Sequence, residues 1–258
     1  MELMNSICKL APHCKHAGKE GICNALCSPF MLLHGEGNSG LWKATNVPPK
    51  YRNVTFETLP IQTDNPTAYG FLKAYRGNVL ENARNGIGLF FYSIPNASNK
   101  FGTGTGKTTS AVAILHAYLL ERVKEDSKGG QKIDQNPALF YKASELQTLY
   151  NSQFRGTPDM QEKASLRYYK IKKLLMSAEM VIIDDIGIRQ KITDAFENEL
   201  TEIIDARDSK VLMTIYTSNL PIEKLAETLG ERIASRIEGM TEQVAFVGKD
   251  HRRGGVLK

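Results

Sequence analysis

Cysteine is absent from the chain after residue 27, and apolar runs are short throughout. No stretch approaches the roughly 20 apolar residues that a membrane-spanning helix needs. The N-terminus lacks the long apolar run of a secretion signal. We also find no internal repeat and no low-complexity tract. These absences argue against a membrane protein and a repeat protein, and we expect a cytoplasmic protein without membrane contact.

The composition fits one substantial apolar core with a small additional module. The chain has 258 residues, of which 41% are hydrophobic, enough for a single large domain. Its formal net charge is +5 at pH 7. This mildly basic balance permits contact with nucleic acid but does not require it.

All four cysteines lie near the N-terminus, at Cys8, Cys14, Cys23 and Cys27. In a reducing compartment such clustering favours a metal site over disulfides. Four thiolates can close a tetrahedral Zn²⁺ site that folds a short segment. His13 or His16 could replace one thiolate, and reduced cysteines in a flexible arm are the alternative. We predict a zinc-binding, partner-binding module over residues 1–45 and a main domain over residues 46–258. A glycine-rich stretch at 36–40 marks the end of the small module.

A glycine-rich loop at residues 102–109 (GTGTGKTT) lies between the apolar run 89–92 and a helical pattern. Strand, loop and helix in this order form a phosphate cradle. Glycines let backbone N–H groups converge on phosphate oxygens, and the helix N-terminus adds partial positive charge. We predict that Lys107 reaches the β- and γ-phosphates and that the Thr108 hydroxyl ligates Mg²⁺. The predicted nucleotide-binding residues are Gly102, Thr103, Gly104, Thr105, Gly106, Lys107, Thr108 and Thr109.

The loop departs from the usual pattern at one position. The pattern G-x-x-x-x-G-K-[ST] requires glycine five residues before Gly106, where this chain has Phe101. The segment between the strand and the glycines, residues 93–100, is also longer than a tight turn needs. We therefore expect the first turn to form differently, and a chance glycine-rich turn is the alternative.

Two carboxylates end the apolar run at residues 180–185 (MVIIDD). A buried strand would deliver Asp184 to the carboxyl edge of the sheet, where ligands bind in open α/β folds. We predict that Asp184 holds Mg²⁺ and that Asp185 orients or deprotonates the attacking water. Paired acids at a strand end can also cap a helix, which is the alternative.

Two further patterns extend the candidate site. Asn219 closes the run 211–217 in the same way and would lie beside the γ-phosphate, although a turn asparagine is the simpler interpretation. Arg232 and Arg236 lie four residues apart on one helical face. They could form a solvated surface, or present an arginine to a neighbouring subunit's phosphate.

Apolar runs alternate with helical patterns along the main domain. Strands are predicted at 89–92, 138–141, 178–183 and 211–217, and helices behind the glycine loop and over 66–85, 143–154, 161–177 and 193–207. Strands that are apolar throughout and separated by helices predict an α/β fold with a parallel sheet covered on both faces. Paired prolines predict an extended lead-in at 46–56.

A basic and aromatic stretch follows the second predicted strand. It contains Arg155, Arg167, Tyr168, Tyr169, Lys170, Lys172 and Lys173. Cations along a phosphate backbone and rings stacked on bases would suit single-stranded nucleic acid. A solvated helix with its tyrosines in the core is the alternative.

In the order of these motifs the chain resembles the AAA+ ATPases, and within them the DnaC/DnaI-type replicative helicase loaders and the related IstB-type transposition ATPases. The resemblance covers about residues 46–258. It depends on the NVPPKYRNVTF lead-in, GTGKT, IIDDIG, TSNLP, ERIASRI and the terminal GKDHRR. The cysteine-rich segment looks like the zinc module of the Gram-positive loaders.

The resemblance implies an AAA+ P-loop fold of three layers, with ATP and Mg²⁺ as cofactors beside the Zn²⁺. The catalytic residues that it implies are Lys107, Asp184, Asp185, Asn219 and Arg236. Among these, the resemblance implies that Asn219 senses the γ-phosphate. It also implies that Arg236 is the arginine finger supplied to the adjacent protomer, with Arg232 as second choice. Arg252 is implied as a nucleotide-contacting sensor in the C-terminal tail.

The implied activity is that of an ATP-dependent DNA replication protein in the cytoplasm of a bacterium or of a bacteriophage's host. Such a protein loads a hexameric replicative helicase onto single-stranded DNA, self-associates into an AAA+ oligomer, and uses slow ATP hydrolysis as an assembly and release switch. Two rivals stay open. One is an IstB-like transposase-assisting ATPase, and the other is a nucleotide-binding adaptor that does not hydrolyse ATP.

Overall fold

The computed structural model describes residues 6–35, 39–187 and 193–252. Part of the glycine-rich stretch at 36–40, and Arg253 of the terminal motif, lie outside the described residues. The strands are β1 (Gly88–Ser93), β2 (Ala138–Lys142), β3 (Met180–Asp184), β4 (Met213–Thr217) and β5 (Thr241–Phe246). They form one sheet in the order β2-β3-β4-β1-β5, and every pairing is parallel.

Eleven α-helices occur in the described part of the chain. They are α1 (Ser28–His34), α2 (Leu41–Ala44), α3 (Ile61–Asp64), α4 (Pro66–Gly77), α5 (Val79–Arg84), α6 (Lys107–Ser127), α7 (Ala143–Ser152), α8 (Pro158–Leu175), α9 (Asp194–Ser209), α10 (Ile222–Leu229) and α11 (Glu231–Gly239).

The helices cover both faces of the sheet, as the apolar strands predicted. Successive side chains of a strand point to opposite faces, and in β1 Leu89 and Phe91 join one buried cluster while Phe90 joins the other. The first cluster contains the apolar faces of α4 and α6, and the second those of α7 to α11. The predicted α/β fold with a parallel sheet between two helical layers is confirmed.

Two local predictions needed correction, and one strand was missed. The helix expected over 66–85 is two helices, because α4 ends at Gly77 and Asn78 has a non-helical backbone. The lead-in is not fully extended, since Pro49–Tyr51 forms a 3-10 turn whose first residue is a proline, where no N–H is needed. β5 was not predicted: as an edge strand it pairs only with β1 in the described sheet and carries exposed polar residues.

A buried arginine of α9 forms hydrogen bonds that hold β3 and β4 against α8 and α9. Arg207 of α9 is fully buried. Its guanidinium donates to the carbonyl oxygens of Leu175 at 2.5 Å, Ala178 at 2.9 Å and Met213 at 2.7 Å, and to Thr214 Oγ1 at 2.8 Å. These acceptors flank the starts of β3 and β4, so the arginine fixes the two strands relative to α8 and α9.

The cysteine-rich segment packs onto the main domain. Leu10, Leu33 and Leu41 belong to the same buried cluster as the apolar face of α6, and α1 lies against α6. The proposed boundary at residue 45 stays a prediction. Among the described residues, every helix is too short or too polar to cross a membrane.

Candidate nucleotide-binding site

Three neighbouring strands end at the candidate site. The glycine loop follows β1, Asn219 follows β4, and Asp184 is the last residue of β3. Because β4 lies between β1 and β3, the parallel strands deliver all three groups to one edge of the sheet. The structure thus brings together the glycine loop, the acidic pair and the asparagine that the sequence singled out.

The glycine loop curls in the manner of a phosphate cradle. Gly102, Gly104 and Gly106 have φ angles of +59°, +65° and +98°, which residues with a Cβ rarely adopt. Gly106 precedes the first residue of α6, Lys107. The unpaired N–H groups at the helix N-terminus therefore face the loop. The Thr109 hydroxyl donates to the Gly106 carbonyl at 2.7 Å and closes the first helical turn.

The first turn of the loop forms around Gly102 and Asn99. Phe101 is 68% exposed, and Gly102 makes the close approach to β1: a Cβ on Gly102 would lie 2.5 Å from the Ser93 Cβ. The Asn99 side chain accepts from the Thr103 N–H at 3.2 Å and donates to the Thr103 carbonyl at 2.7 Å. These contacts explain how the loop accommodates phenylalanine where the pattern has glycine.

Lys107 is buried at the centre of the site. Its Nζ donates to Asn219 Oδ1 at 2.9 Å, to the Gly102 carbonyl at 3.3 Å and to Ser93 Oγ. All three partners are neutral oxygens, so the ammonium has hydrogen bonds but no directly bonded counter-ion among them. An arriving anion would gain a charge-assisted interaction with this group.

A second cation faces the same space. Burial lowers the pKa of the Lys107 amine to about 8, the Asp185 charge acts in the opposite direction, and the Arg252 charge lowers the pKa further. Lys107 and Arg252 both line a cavity of about 290 Å³, together with the glycine loop, Tyr51 and Pro60. Two cations around one concave space disfavour each other's charge, which favours an anion between them.

The acidic pair has two distinct environments. The buried Asp184 carboxylate accepts at Oδ1 from the Thr108 hydroxyl at 2.8 Å and from the Thr217 hydroxyl at 2.7 Å. Burial raises the pKa of Asp184, and the Asp185 charge raises it further. Asp185 lines the cavity and has a left-handed φ of 60°, while its N–H donates to Thr217 Oγ1 at 2.9 Å.

The donor set fits a magnesium ion. Mg²⁺ takes oxygen ligands and is usually held by one or two carboxylates with hydroxyls, waters and phosphate oxygens. Thr108 and Asp184 place a hydroxyl and a carboxylate oxygen 2.8 Å apart, beside the cavity that Asp185 lines.

Sequence reasoning missed several residues of the site. Ser93 bonds Lys107 and the Gly102 carbonyl, and Thr217 bonds both acids. Both are the last residues of apolar strands, β1 and β4. The signal that identified Asp184, a polar residue at the end of a buried strand, could have found them too.

The two arginines of α11 lie away from the phosphate loop. Arg236 Nη1 donates to Asp208 at 2.7 Å and its Nε pairs with Asp205, while Arg232 bonds Asp205 at 2.6 Å. Both acids belong to α9. Arg236 therefore does not contact Lys107 within one chain, which agrees with a role across a subunit boundary but does not test it.

The four cysteines line one cavity of about 730 Å³, together with His13 and His16. Burial raises the pKa of the Cys8 thiol, and charge on Cys27 and Cys14 would raise it further. His16 Nδ1 is buried without a hydrogen-bond partner, as expected of a potential ligand atom. However, no three Cys, His, Asp or Glu side chains in the described parts of the chain are spaced to hold a metal, so the zinc prediction is not confirmed.

The basic stretch divides into buried and exposed members. Tyr168 and Lys172 are buried, and they bond Glu199 at 2.8 and 2.6 Å. Both belong to the packing of α8 on α9, so their inclusion among the nucleic-acid contacts was wrong. For Tyr168 the structure agrees with the alternative of a tyrosine in the core. The exposed members are Arg155, Arg167, Tyr169, Lys170 and Lys173.

No protein-family model and no curated protein sequence matches the chain. Solved structures do. The DnaC helicase loader is 24% identical over 78% of this chain and 100% of that chain, with a TM-score of 0.55. DnaI is 16% identical over 78% and 95% of the two chains, with a TM-score of 0.53.

The replication initiator DnaA bound to AMPPCP and single-stranded DNA is 18% identical, with a TM-score of 0.52, over 78% of this chain and 51% of the DnaA chain. At such identities the likeness concerns the fold. The resemblance to the AAA+ ATPases of DNA replication is confirmed at that level: this chain has the fold of the DnaC and DnaI helicase loaders.

Proposed function

We propose that the protein is an ATPase that loads a hexameric replicative helicase onto single-stranded DNA and uses ATP hydrolysis as an assembly and release switch. The observation that carries the proposal is the joint placement of Lys107, the Thr108–Asp184 pair and Asp185 around one small cavity. Together these side chains can hold a triphosphate with its metal beside a carboxylate that can act on water.

Each residue has a separate task in this proposal. The amides of the glycine loop and Lys107 bind the phosphates, and Thr108 and Asp184 hold Mg²⁺, which when bound neutralises phosphate charge. Asp185 orients the attacking water or accepts its proton. Asn219, already bonded to Lys107 at 2.9 Å, would contact the γ-phosphate when the lysine turns toward the nucleotide.

Nucleotide binding and turnover test the proposal directly. We expect Mg–ATP binding by calorimetry, loss of that binding in Lys107→Ala, and retained binding with hydrolysis reduced about 10²-fold or more in Asp185→Asn. Lys128→Ala, an exposed lysine beyond α6, is the matched control. Tight binding with background hydrolysis in the wild type would instead favour the non-hydrolysing adaptor, and absence of binding would remove the nucleotide site.

Self-association is the second part of the proposal. Arg236 is about one third exposed, and it would stabilise phosphate charge in the adjacent protomer. Arg236→Ala should keep nucleotide binding and lose hydrolysis. Mixing it with an equal amount of Asp185→Asn should restore part of the activity, since each protein supplies what the other lacks. No restored activity would argue against action between subunits, and Arg232→Ala is the companion variant.

Helicase loading is supported by the fold of the DnaC helicase loader. The test is retention of a hexameric replicative helicase by the tagged full chain, with and without ATP. Retention of a transposase but not of a helicase would favour the transposition rival.

Single-stranded DNA would bind the exposed face of α8. Arg167 and Lys170 lie three residues apart there, with Tyr169 57% exposed beside them. Lys170→Glu should weaken binding of an oligonucleotide about three- to tenfold and reduce its salt dependence, whereas Lys128→Glu should not. Equal losses in both variants would mean that the effect is only one of net charge.

We also propose one Zn²⁺ per chain in the cysteine cavity, held by Cys8, Cys14, Cys23 and Cys27, with His13 or His16 as the substitute for one thiolate. The support is the collection of all these side chains around one cavity, and the buried His16 Nδ1 without a hydrogen-bond partner. Metal analysis should find equimolar zinc in wild-type protein and none after all four cysteines are changed to serine. Zinc that persists in that variant would contradict the assignment.

A further inference from the structure

The segment after β5 crosses the glycine loop. The Asn99 amide donates to the Gly248 carbonyl at 3.1 Å, and the His251 N–H donates to the Gly104 carbonyl at 3.2 Å. On the other side, His251 Nε2 lies 2.7 Å from Asp64 Oδ2. Residues 248–252, which we call the tail strap, are thus tied to the loop by main-chain and side-chain contacts.

The Asp250 carboxylate lies at the middle of the tail strap. Its Oδ2 accepts from the Thr103 hydroxyl at 3.1 Å, and its Oδ1 accepts from the Arg252 N–H at 3.0 Å. A Cβ on Gly104 would lie 1.8 Å from Asp250 Oδ1. Only glycine at 104 therefore leaves room for this carboxylate.

The position of the Asp250 carboxylate distinguishes two roles for this residue. An acid pushed into the phosphate cradle would compete with nucleotide, whereas an acid beside the cradle would organise it. His251 and Arg252 line the cavity and Asp250 lies outside its lining. One oxygen is bonded to the loop and the other to the main chain of Arg252. These two bonds connect the loop with the main chain of the arginine, which favours the organising role.

We propose that Asp250 is a positioning residue that fixes Arg252 at the nucleotide cavity by fastening its main chain to the phosphate loop. The inference rests on the proposed function, in which Arg252 contacts the nucleotide. Arginine has a long side chain with many rotamers, so anchoring its backbone reduces the ordering that nucleotide binding must impose. The effect of Asp250 on binding should consequently act through Arg252.

The test measures binding of Mg–ATP and Mg–ADP to the full chain by calorimetry. We expect Asp250→Ala to weaken ATP binding about five- to tenfold, as loss of hydrogen bonds to a charged group would. Asp250→Asn keeps an acceptor for the Arg252 N–H and should restore affinity to within about twofold. Lys249→Ala, an exposed neighbour in the tail strap, should match wild type.

A double-mutant cycle identifies the route of the effect. Arg252→Ala should weaken ATP binding by itself, and adding Asp250→Ala should then change little. An Asp250→Ala effect that persists undiminished without Arg252 would overturn the proposal, as would tighter binding in both Asp250→Ala and Asp250→Asn, which marks a competing gate. If Arg252→Ala binds normally while Lys107→Ala does not, the inference fails and the nucleotide site stands; if the wild type does not bind, the proposed function fails.

Discussion

The nucleotide site and the cysteine cavity lie at opposite ends of one helix. Lys107 and Thr108 begin α6, whereas Glu121, Lys124 and Ser127, near its other end, line the cysteine cavity. A helix of 21 residues separates its ends by about 30 Å. The helix dipole favours an anion at the first end and a cation at the second.

The two ends differ in what fixes their side chains. At the first, the register of three parallel strands sets the positions, and hydrogen bonds join Lys107 to Asn219 and Asp184 to Thr108. At the second, short turns carry the cysteines, and no metal-holding arrangement forms among the described residues. A sheet can preorganise a site before its ligand arrives, whereas the proposed Zn²⁺ would itself have to draw together the cysteines of the second end.

The largest effect should come from removing the arginine that fastens the sheet. Arg207→Met fills similar volume but leaves the carbonyls of Leu175, Ala178 and Met213 without this donor. At about 1–3 kcal/mol for each unsatisfied buried acceptor, the loss should reach about 3 kcal/mol or more. Urea unfolding measures it, with exposed Arg155→Met as the control. Equal stability of the two variants would show that the sheet does not depend on this anchor.

The stability of the protein should fall in acid because of His116, which lies in the middle of α6. Burial lowers the pKa of this buried imidazole to about 4, and it stacks on Trp42, 4.0 Å between ring centroids. The unfolded chain binds the proton near the ordinary pKa of about 6.5. The contribution of this imidazole to the free energy of unfolding is therefore fully present above that pH and is lost as the pH falls toward 4.

We expect a loss of about 2 kcal/mol between pH 6.5 and 4.5 from this group. His116→Asn, which can still donate to the Val54 carbonyl 3.0 Å from Nδ1, should flatten that slope, as followed by fluorescence of the single tryptophan. An unchanged slope would assign the acid sensitivity to other groups, such as His34, whose pKa burial also lowers.

The same contrast explains how far the sequence could predict the structure. The pattern of polar residues at the ends of apolar strands pointed to Asp184 and Asn219. The structure places both at one edge of the sheet, because the carboxyl ends of parallel strands meet there. The first turn of the loop could not be predicted, since the Asn99 side chain acts through contacts to Thr103 that no motif specifies. The sequence left open whether the tyrosines of α8 lie in the core, because partners on α9 decide which face of a charged helix is covered. The burial of Lys172 could not be predicted for the same reason.

Strain within the sheet region should give a smaller effect of opposite sign. Val211, just before β4, is 56% exposed and has a φ of 55°, a conformation that costs a β-branched residue about 1–2 kcal/mol. Val211→Gly should therefore stabilise the protein by up to about 1 kcal/mol, after the entropy of the more flexible unfolded chain is subtracted. Val247→Gly, at an exposed valine without left-handed backbone, should destabilise it. Val211 Cγ1 lies beside Gly86, where an added Cβ would be 2.6 Å from it. Destabilisation by both variants would mean that this packing outweighs the strain.

The smallest effect tests whether the two ends of α6 are independent. If the sheet alone organises the nucleotide site, removing the proposed Zn²⁺ with a chelator should change the affinity for Mg–ATP by less than about twofold, because the dipole influence of a helix end falls off within one turn. The affinity is measured after dialysis that restores Mg²⁺, with the cysteine-to-serine protein as a control that has no zinc to lose. A tenfold loss in wild type alone would show that order at the cysteine cavity is transmitted through α6 to Lys107, and the independence of the two ends of α6 would then have to be abandoned.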